Sequence, residues 1–310
     1  MATMLEVKDL SKKFKDAEAV KNLSFTVEEG DIYGFLGENG AGKSTTLRML
    51  LKLVKPTGGE IIYRGKNIQN DHNEMLRQTG AVIEKPDLYK YLSAYDNLSI
   101  FARLSGMKPQ RSILMEQLDM VGLASRAHSK IKTFSQGMKQ RMGIAVALVH
   151  SPELIILDEP TNGLDPQGIA DMRHLILRLG KELRKTVIIS SHLLSEIEMV
   201  ANRMIIIHKG EKKIEGNVAE LLDPSNTLVE LQTTNNASSF LKLQQSKWAK
   251  DMEDRGDAIR LRMSREEIPL LAASLNEMNI GILSLRPRHS LEDYFLSLTN
   301  QDAHVEPSAN

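Results

Sequence analysis

The segment GENGAGKST, Gly37–Thr45, has the residue types and the spacing that bind phosphate. It fits the pattern G-x-x-x-x-G-K-[ST], in which glycines let successive backbone N–H groups curl around phosphate oxygens. The side chain of Lys43 is then placed to reach the β and γ phosphates of a nucleotide, and Ser44 to hold Mg²⁺. A dinucleotide-binding G-x-G-x-x-G is excluded, because position 45 is threonine. The loop residues predicted to contact the nucleotide are Gly37, Asn39, Gly40, Gly42, Lys43, Ser44 and Thr45.

Two adjacent carboxylates, Asp158 and Glu159, follow an apolar run in the segment LIILDEPTNGLD. A carboxylate at the end of a buried strand is poorly solvated and needs a partner that compensates for its burial. Beside a phosphate-binding loop, Asp158 can hold Mg²⁺ directly or through water, and Glu159 can polarise the water that attacks the γ-phosphate. Taken alone, an Asp-Glu pair after a strand is more often a helix start or a turn. Together with the loop, the pair predicts a nucleotide hydrolase.

The elements that must position these motifs alternate between strand and helix patterns, which predicts an α/β fold. DIYGFL, before the phosphate-binding loop, reads as a strand, and GKSTTLRMLLKLV reads as the helix after it. LIIL and KTVIISS suit strands buried on both faces of a parallel sheet. Residues 87–150 are mostly helical in pattern, which predicts a helical insertion.

Polar breaker clusters, DPSNT and TTNNASS, follow a boundary near Asn217. We therefore expect a first domain over residues 1–216, a small α/β appendage over 217–299 and a flexible tail over 300–310. In the appendage, the helical spacing of SLEDYFLSL predicts packing for Leu291, Tyr294, Phe295 and Leu298.

The composition excludes several classes of function. The 40 basic and 40 acidic side chains balance, so no global field attracts nucleic acid, and no nucleic-acid partner is expected. The absence of cysteine excludes disulfides and thiolate metal sites and favours a reduced cytosolic setting. No apolar run approaches the roughly 18 residues that cross a bilayer, and the N-terminus lacks the apolar core of a signal peptide.

The motifs resemble those of the ATP-binding-cassette (ABC) ATPases, with GENGAGKST as the Walker A motif, LIILDE as the Walker B motif and NGLD as the D-loop. The resemblance implies a P-loop NTPase cassette, in which a mainly parallel sheet core carries an antiparallel N-terminal β part and a helical insertion. It also implies ATP and Mg²⁺ as cofactors. Asp165 of the D-loop is included among the nucleotide-binding residues.

The segment TFSQGMKQR lies where that family has its signature motif, with Ser135 placed 23 residues before Asp158. The resemblance implies that Ser135 and Gly137 bind the γ-phosphate of ATP held by a second subunit, so each site is split between two cassettes. A helix N-terminus with free N–H groups and a hydroxyl suits an anion. Read by itself, Ser135 is an ordinary helix N-cap.

Three further residues take roles from the same resemblance. His192, in the run SSH, resembles the switch histidine that senses the γ-phosphate, and it joins Lys43 and Glu159 in the predicted catalytic set. Phe14 stands where the family stacks an aromatic ring on adenine. Glu84 stands where most of the family has the Q-loop glutamine, and it can ligate Mg²⁺ or orient water while adding negative charge near the phosphates. The alternatives are a capping or core histidine at 192 and a core-packing ring at 14.

Departures from the general ABC pattern indicate a particular group within the family. Gln136 replaces the first glycine of the usual signature pair, and Met138 replaces its glutamine. With Glu84, SSHLLSEIE and SLEDYFLSL, they resemble the ATPase subunits of bacitracin-resistance and lantibiotic-immunity exporters, over about Leu5 to Thr299. The resemblance implies a peripheral protein at the cytoplasmic face of the cell membrane. It would work as a homodimer with separate membrane-spanning permease subunits and remove peptide antibiotics from the membrane.

A partner surface is expected just after the Q-loop position, in the segment PDLYKYLSAYDNL, where the family docks a short helix of the membrane subunit. The alternative is that these side chains pack the core of the insertion itself. The side chains concerned are Tyr89, Tyr91, Leu92 and Tyr95.

Other functions share the same cassette. A sodium, lipid or drug exporter uses a similar ATPase, and so does a soluble ABC ATPase of DNA repair or of the ribosome. The single phosphate-binding loop and the lack of sustained heptads disfavour the soluble types. A nucleotide sensor without hydrolysis is disfavoured by Glu159, which supplies a base.

Overall fold

The computed structural model describes residues 2–15, 17–70, 73–221, 227–254 and 258–288. The chain divides into two compact units, Met1–Asn217 and Val218–Asn310. The strands of the first unit are β1 (Thr3–Phe14), β2 (Ala17–Glu28), β3 (Ile32–Leu36), β4 (Gly58–Tyr63), β5 (Lys66–Asn67), β6 (Thr79–Val82), β7 (Leu154–Leu157), β8 (Thr186–Ser191), β9 (Arg203–His208) and β10 (Glu211–Asn217). Its helices are α1 (Lys43–Leu50), α2 (Glu74–Arg77), α3 (Ala94–Leu104), α4 (Arg111–Met120), α5 (Gln136–Leu148), α6 (Pro166–Leu177) and α7 (Leu194–Glu198).

The larger sheet of the first unit has the strand order β10-β9-β3-β8-β7-β6. Neighbours from β9 to β6 are parallel, and β10 is antiparallel to β9. All residues of β3, β7 and β8 are buried, which agrees with their mainly apolar sequences. Because the carboxyl ends of parallel strands share one edge, the segments after β3, β7 and β8 meet there. Those segments carry the phosphate-binding loop, the acidic pair and His192.

A second, antiparallel sheet has the order β2-β1-β4-β5. Its apolar face packs against the larger sheet and α1 in one continuous core. Within that core Phe25 contacts Tyr33 and Phe35, with ring centroids 5.9 and 5.0 Å apart. The mainly parallel core with an antiparallel N-terminal β part is therefore confirmed.

The helix after the phosphate-binding loop is shorter than predicted. The apolar pattern predicted helix through Val54, but α1 ends at Leu50. Lys52 adopts a left-handed backbone conformation with φ 57°, and the Leu53 N–H donates to Arg48 O at 2.9 Å. A left-handed residue that turns the chain back onto the last carbonyls ends a helix, which overrides the apolar pattern.

The segment of residues 87–150 contains α3, α4 and α5 and no strand, only an isolated bridge between Ser93 and Lys130. α3 begins at a capping box, because the Ser93 hydroxyl accepts from the Asp96 N–H at 3.1 Å and the Asp96 carboxylate accepts from the Ser93 N–H. The insertion is therefore helical.

The second unit has a four-stranded antiparallel sheet in the order β12-β13-β11-β14. Its core contains Val229, Leu231, Leu261 and Leu271. Its elements are α8 (Val218–Leu221), β11 (Thr227–Thr233), α9 (Asn236–Gln244), β12 (Met252–Asp254), β13 (Ile259–Met263), α10 (Ile268–Glu277) and β14 (Ile282–Arg288). The predicted tail and the packing residues Leu291, Tyr294, Phe295 and Leu298 lie outside the described residues.

Candidate active site

The phosphate-binding loop joins β3 to the N-terminus of α1. Gly42 precedes the helix with φ 104°, a left-handed conformation that favours glycine. A Cβ at Gly42 would lie 2.5 Å from Ala19 O, and a Cβ at Gly37 would lie 2.4 Å from Ile207 O. The loop is therefore pressed against β2 and β9, and only glycine fits at these two positions. The first turn of α1 contains no acidic residue, so its N–H groups and helix dipole present positive potential to an anion.

The side chain of Lys43 is 5% exposed and is held at this loop by oxygen atoms. Its Nζ donates to Gly37 O at 2.6 Å and to Glu38 O at 3.1 Å. It also lies 3.2 Å from Oε1 of Glu159, a buried oxygen that has no hydrogen bond within the described part of the chain. Phosphate oxygens are acceptors of the same kind, so the ammonium is suited to bind them.

The acidic pair follows β7 as expected, and a serine from β8 holds both residues. The Ser190 hydroxyl donates to Asp158 Oδ1 at 2.6 Å and accepts from the Glu159 N–H at 2.9 Å. Glu159 has a left-handed backbone with φ 48°, which is uncommon outside glycine and occurs where surrounding contacts fix it.

His192 closes the cluster. Its Nδ1 donates to Glu159 Oε2 at 2.8 Å, since a carboxylate can only accept. Lys43, Glu159 and His192 are therefore in direct contact in one row. The structure brings together the three residues that the sequence predicted as the catalytic set.

The signature segment forms the start of α5. The Ser135 hydroxyl accepts from the Met138 N–H at 3.2 Å, so Ser135 is a helix N-cap, and Gly137 lies in the first turn. Both Ser135 and the neighbouring Gln136 are exposed. In the part of the chain that the structure describes, no hydrogen bond or ion pair joins Ser135 or Gly137 to the phosphate-binding loop. Asp165 caps α6, accepting from the Gly168 N–H at 3.0 Å.

Phe14 and Glu84 lie on the surface. Phe14 is 48% exposed, with Lys12 Nζ 5.0 Å from its ring centroid, so the core-packing alternative for this ring is wrong. The side chain of Glu84 is 67% exposed and forms an ion pair with Arg48 of α1. Among the described residues, no hydrogen bond or ion pair connects Glu84 to Ser44 or Asp158.

The tyrosines after the Q-loop position differ in exposure. Tyr89 is 50% and Tyr91 is 78% exposed, whereas Tyr95 is half-buried beside the His128 ring at 6.0 Å. A groove of about 440 Å³ lies beside this segment, between it and α5. Its lining includes Leu88, Ile131, Gln140, Lys85, Lys90 and Lys139.

Sequence reasoning missed four polar residues around the acidic pair. Glu196 Oε2 accepts from the Thr161 hydroxyl at 2.7 Å and from the Ser191 hydroxyl at 2.6 Å. Ser190 is the fourth. The signal was present in SSH, because the two serines at the end of a buried and otherwise mainly apolar strand need hydrogen-bond partners.

A buried lysine in a glycine loop, beside a strand-end Asp-Glu pair, defines a P-loop nucleotide hydrolase. The model of the family described as ABC transporter matches residues 20–162. Bacitracin transport ATP-binding protein BcrA of Bacillus licheniformis is 42% identical over 300 residues, covering 96% of this chain and 98% of that protein. The uncharacterized ABC transporter ATP-binding protein YhcH of Bacillus subtilis is 38% identical over 305 residues, 97% of each chain. The chain belongs to the family of ABC transporter ATP-binding proteins, and it is an ATPase.

Solved structures agree with this assignment. CbiO1 from Clostridium perfringens, described as part of the ABC transporter complex cbiONQ, matches with a TM-score of 0.66 and 26% identity over 80% of this chain and 96% of that one. The ATP-binding cassette MJ0796, solved as a dimer bound to ADP and Pi, matches with a TM-score of 0.63 and 28% identity over 69% of this chain and 99% of that one. Among the described residues, no helix has the length and apolar character to cross a membrane.

Proposed function

We propose that this chain is the ATPase subunit of an exporter that removes a peptide antibiotic of the bacitracin or lantibiotic class from the membrane. The carrying observation is the similarity to BcrA, which extends over 96% of the chain and so includes the second unit. Support also comes from the lantibiotic transport ATP-binding protein SrtF of Streptococcus pyogenes, 41% identical over 71% of this chain and 96% of that protein.

In the proposed reaction, Lys43 and the loop N–H groups bind the β and γ phosphates. Mg²⁺, when bound, would neutralise charge on those phosphates, and Ser44 and Asp158 are the residues suited to hold it. The fit is good, because the Ser44 hydroxyl has no hydrogen bond within the described residues and Asp158 is a buried carboxylate at a strand end. Glu84 is the third proposed ligand, and it must leave Arg48 before it can take part.

Glu159 acts as the base that takes a proton from the attacking water, and His192 orients the Glu159 carboxylate. The contact of 2.8 Å between His192 Nδ1 and Glu159 Oε2 supports this pairing. Because Nδ1 donates to Glu159, Nε2 is the ring nitrogen left for the γ-phosphate, and a hydrogen bond to a phosphate oxygen requires that Nε2 also carry a proton. Phe14, exposed at the end of β1, supplies the aromatic face for adenine.

The signature half of the site acts on ATP bound by a second copy of the chain. Support comes from Ser135 and Gly137, which start α5 at an exposed surface and do not contact the phosphate-binding loop of their own chain. Asp165 of the D-loop belongs to the same proposed half-site. The proposed assembly is a homodimer, in which ATP favours the closed state because γ-phosphate contacts to both copies exist only there.

The partner surface for the membrane-spanning subunits is the groove beside α5 with the exposed rings of Tyr89 and Tyr91. Exposed aromatic side chains are typical of interfaces, and Lys85, Lys90 and Lys139 form no ion pair among the described residues. Leu92 and Tyr95 follow in the same segment. Attached there, the subunit is peripheral at the cytoplasmic face of the membrane. Tyr91→Ala should reduce co-purification of the membrane subunit, with Leu104→Ala on the exposed end of α3 as the control.

The test of the export function is deletion of the coding sequence, followed by growth on a panel of peptide antibiotics, alone and with the membrane subunits restored. We expect the deletion to increase sensitivity to bacitracin-type or lantibiotic-type peptides. The wild-type chain should restore resistance, and Glu159→Gln should not. Equal sensitivity of the deleted and intact strains to every peptide would contradict the proposed export of peptide antibiotics, but not the ATPase activity. Sodium, lipid and drug substrates would then be tested.

A further inference from the structure

We propose that Glu196 is a positioning residue for ATP hydrolysis, which holds Glu159 and His192 in contact by binding one hydroxyl from each of the two chain segments that carry them. The inference rests on the roles proposed above for Glu159 and His192. Glu196 itself does not touch the phosphate-binding loop within the described residues.

The carboxylate of Glu196 joins two segments that are distant in the sequence. Its Oε2 accepts from the Thr161 hydroxyl at 2.7 Å, and Thr161 lies two residues beyond Glu159. The same oxygen accepts from the Ser191 hydroxyl at 2.6 Å, and Ser191 directly precedes His192. The contacts form a closed ring that runs from Glu159 through Thr161, Glu196 and Ser191 to His192 and back to Glu159 at 2.8 Å.

The helix that carries Glu196 is fixed to the same ring. The Leu193 N–H donates to the Ser191 hydroxyl at 3.0 Å, and Leu193 immediately precedes α7. The backbone of Glu196 is therefore tied to Ser191 through the first turn of its own helix. Its side chain is partly buried, so the ring is shielded on one side from competing water.

A neighbouring bond fixes the other side of the acidic pair. Successive residues of a strand point to opposite faces, so Ser190 and Ser191 at the end of β8 serve different partners. Ser190 holds Asp158 and the Glu159 N–H, whereas Ser191 holds Glu196. The backbone N–H of Glu159 is thus held by Ser190, and its side-chain carboxylate is held by His192 within the ring of contacts.

The bond pattern requires an acceptor at position 196 and does not require a charge. Both partners are hydroxyl donors, and no ion pair forms at Glu196 within the described residues. The amide oxygen of glutamine can accept the same two bonds with the same chain length. Glu196→Gln should therefore preserve the ring, whereas Glu196→Ala should open it. A role as base or metal ligand predicts loss with both variants.

The experiment measures kcat and KM for ATP with the purified full chain of wild type, Glu196→Ala, Glu196→Gln and the control Glu198→Ala on the same helix. Because a misplacement near 1 Å can cost about 100-fold, we expect kcat of Glu196→Ala to fall about 10- to 100-fold while KM stays within about 2-fold. Glu196→Gln should keep at least about a third of the wild-type kcat, and Glu198→Ala should match wild type. Unchanged kcat in Glu196→Ala, or equal loss in Glu196→Gln, would overturn the proposal.

A second set separates a positioning role from a loss of folding. Thr161→Val removes one hydroxyl of the ring with little change in shape, and it should lower kcat less than Glu196→Ala. Residues of one network are not additive, so Thr161→Val combined with Glu196→Ala should be no slower than Glu196→Ala alone. Additive losses would contradict a shared ring.

A spectroscopic readout distinguishes this inference from the proposed function. The readout is the NMR signals of the imidazole C–H groups of His192, assigned by their loss in His192→Gln. These signals should shift in Glu196→Ala and stay at the wild-type position in Glu196→Gln. If Glu159→Gln hydrolyses ATP normally, the proposed catalytic role fails while the signals still test the ring. If Glu159→Gln is inactive and Glu196→Ala is fully active with unmoved signals, only the present inference fails.

Discussion

The N–H, Oε1 and Oε2 of Glu159 each face a different partner, namely Ser190, Lys43 and His192. A left-handed backbone makes this possible, since it turns the side chain away from the path of the preceding strand. The phosphate-loop pattern predicted Lys43, and the acidic pair at a strand end predicted Glu159, whereas His192 was predicted only through the resemblance to the ABC ATPases. The sequence was not sufficient for Ser190 and its neighbours, whose partners depend on which strands are adjacent.

Replacing Glu159 with glutamine should abolish turnover and leave nucleotide binding intact. The amide cannot take a proton from water, so we expect kcat to fall by at least about 100-fold, as general-base loss does. The phosphate-binding loop is unchanged, and an ATP-bound dimer should accumulate. Size-exclusion chromatography with light scattering checks the dimer, and Glu182→Gln serves as the surface control. Hydrolysis at the wild-type rate would contradict the assigned role.

Replacing Glu84 with glutamine tests its proposed place at the metal. The variant loses an exposed ion pair with Arg48, which is worth at most about 1 kcal/mol, so the melting temperature should change little. If Glu84 joins Ser44 and Asp158, the Mg²⁺ concentration for half-maximal hydrolysis should change. Arg48→Gln breaks the same ion pair without touching the carboxylate, and a matching change in that variant would assign the effect to the ion pair.

At the scale of elements, strand order determines which motifs meet, and the sequence alone does not predict that order. The runs LIIL and TVIIS identify β7 and β8 by composition, yet only the order β3-β8-β7 brings the loop, the acids and His192 to one edge. Helix ends were less predictable: α1 stops at Leu50 because Lys52 turns left-handed, and no glycine marks that turn. The alternatives for Phe14 and Tyr91 also needed the structure, since an aromatic in a strand or loop has the same sequence pattern buried or exposed.

The loop before α1 should not tolerate a side chain at Gly42. Alanine there meets both the left-handed backbone and the Ala19 carbonyl at 2.5 Å, so we expect loss of ATP binding together with a lower melting temperature. Gly106→Ala is the control, because Gly106 has a similar φ of 78° with open space around it. That control isolates the backbone strain, about 1–2 kcal/mol. Equal losses in the two variants would argue against the contact with β2.

His150, at the junction between α5 and β6, should make the free energy of unfolding depend on pH. Burial lowers the pKa of His150, and nearby Lys185 lowers that pKa further, while the hydrogen bond to Thr79 O at 3.2 Å opposes the shift. Its Nδ1 is buried without a hydrogen-bond partner among the residues that the structure describes, so a second proton has no acceptor there. A folded-state pKa below 6.5 means that the unfolded chain binds the proton first. Stability from His150 is therefore complete above pH 6.5 and is lost as the pH falls from there through the folded-state pKa.

Urea unfolding of wild type and His150→Gln at pH 7.5 and pH 5.5, for example, compares these states, with pH values set about one unit either side of the unfolded pKa. The free energy of unfolding should drop less between the two pH values in His150→Gln than in wild type. The exposed His174→Gln should retain the full wild-type drop. A drop of equal size in all three proteins would mean that His150 does not carry the effect.

At the scale of the whole molecule, the proposed site is complete only when two chains meet. The first unit holds Lys43 and Glu159 in one cluster and Ser135 in a separate exposed turn. The sequence motifs indicated this division only through the family resemblance, because no spacing within one chain states which copy supplies which half. The second unit has its own core around Val229 and Leu261, and no sequence motif assigns it a role.

Mixing two inactive variants should restore hydrolysis. Lys43→Ala removes the phosphate-binding half and Ser135→Arg removes the signature half, so a mixed dimer contains one intact site. With random pairing into two-fold dimers, activity should return to about a quarter of wild type. Lys43→Ala mixed with Glu159→Gln is the control, because both changes damage the same half and leave no intact site. Absence of recovery in the first mixture would mean that each chain works alone.

The ion pair between Lys43 and Glu159 has a consequence for the order of events in a cycle. The ammonium that a third phosphate would use is the one that Glu159 contacts at 3.2 Å, so the two negative groups compete for a single cation. On the roles proposed above, ATP would displace the Glu159 carboxylate from Lys43, and the ion pair would form again when inorganic phosphate leaves. The Glu159 carboxylate would then occupy the cation in place of the departing phosphate, which would favour product release after each turnover.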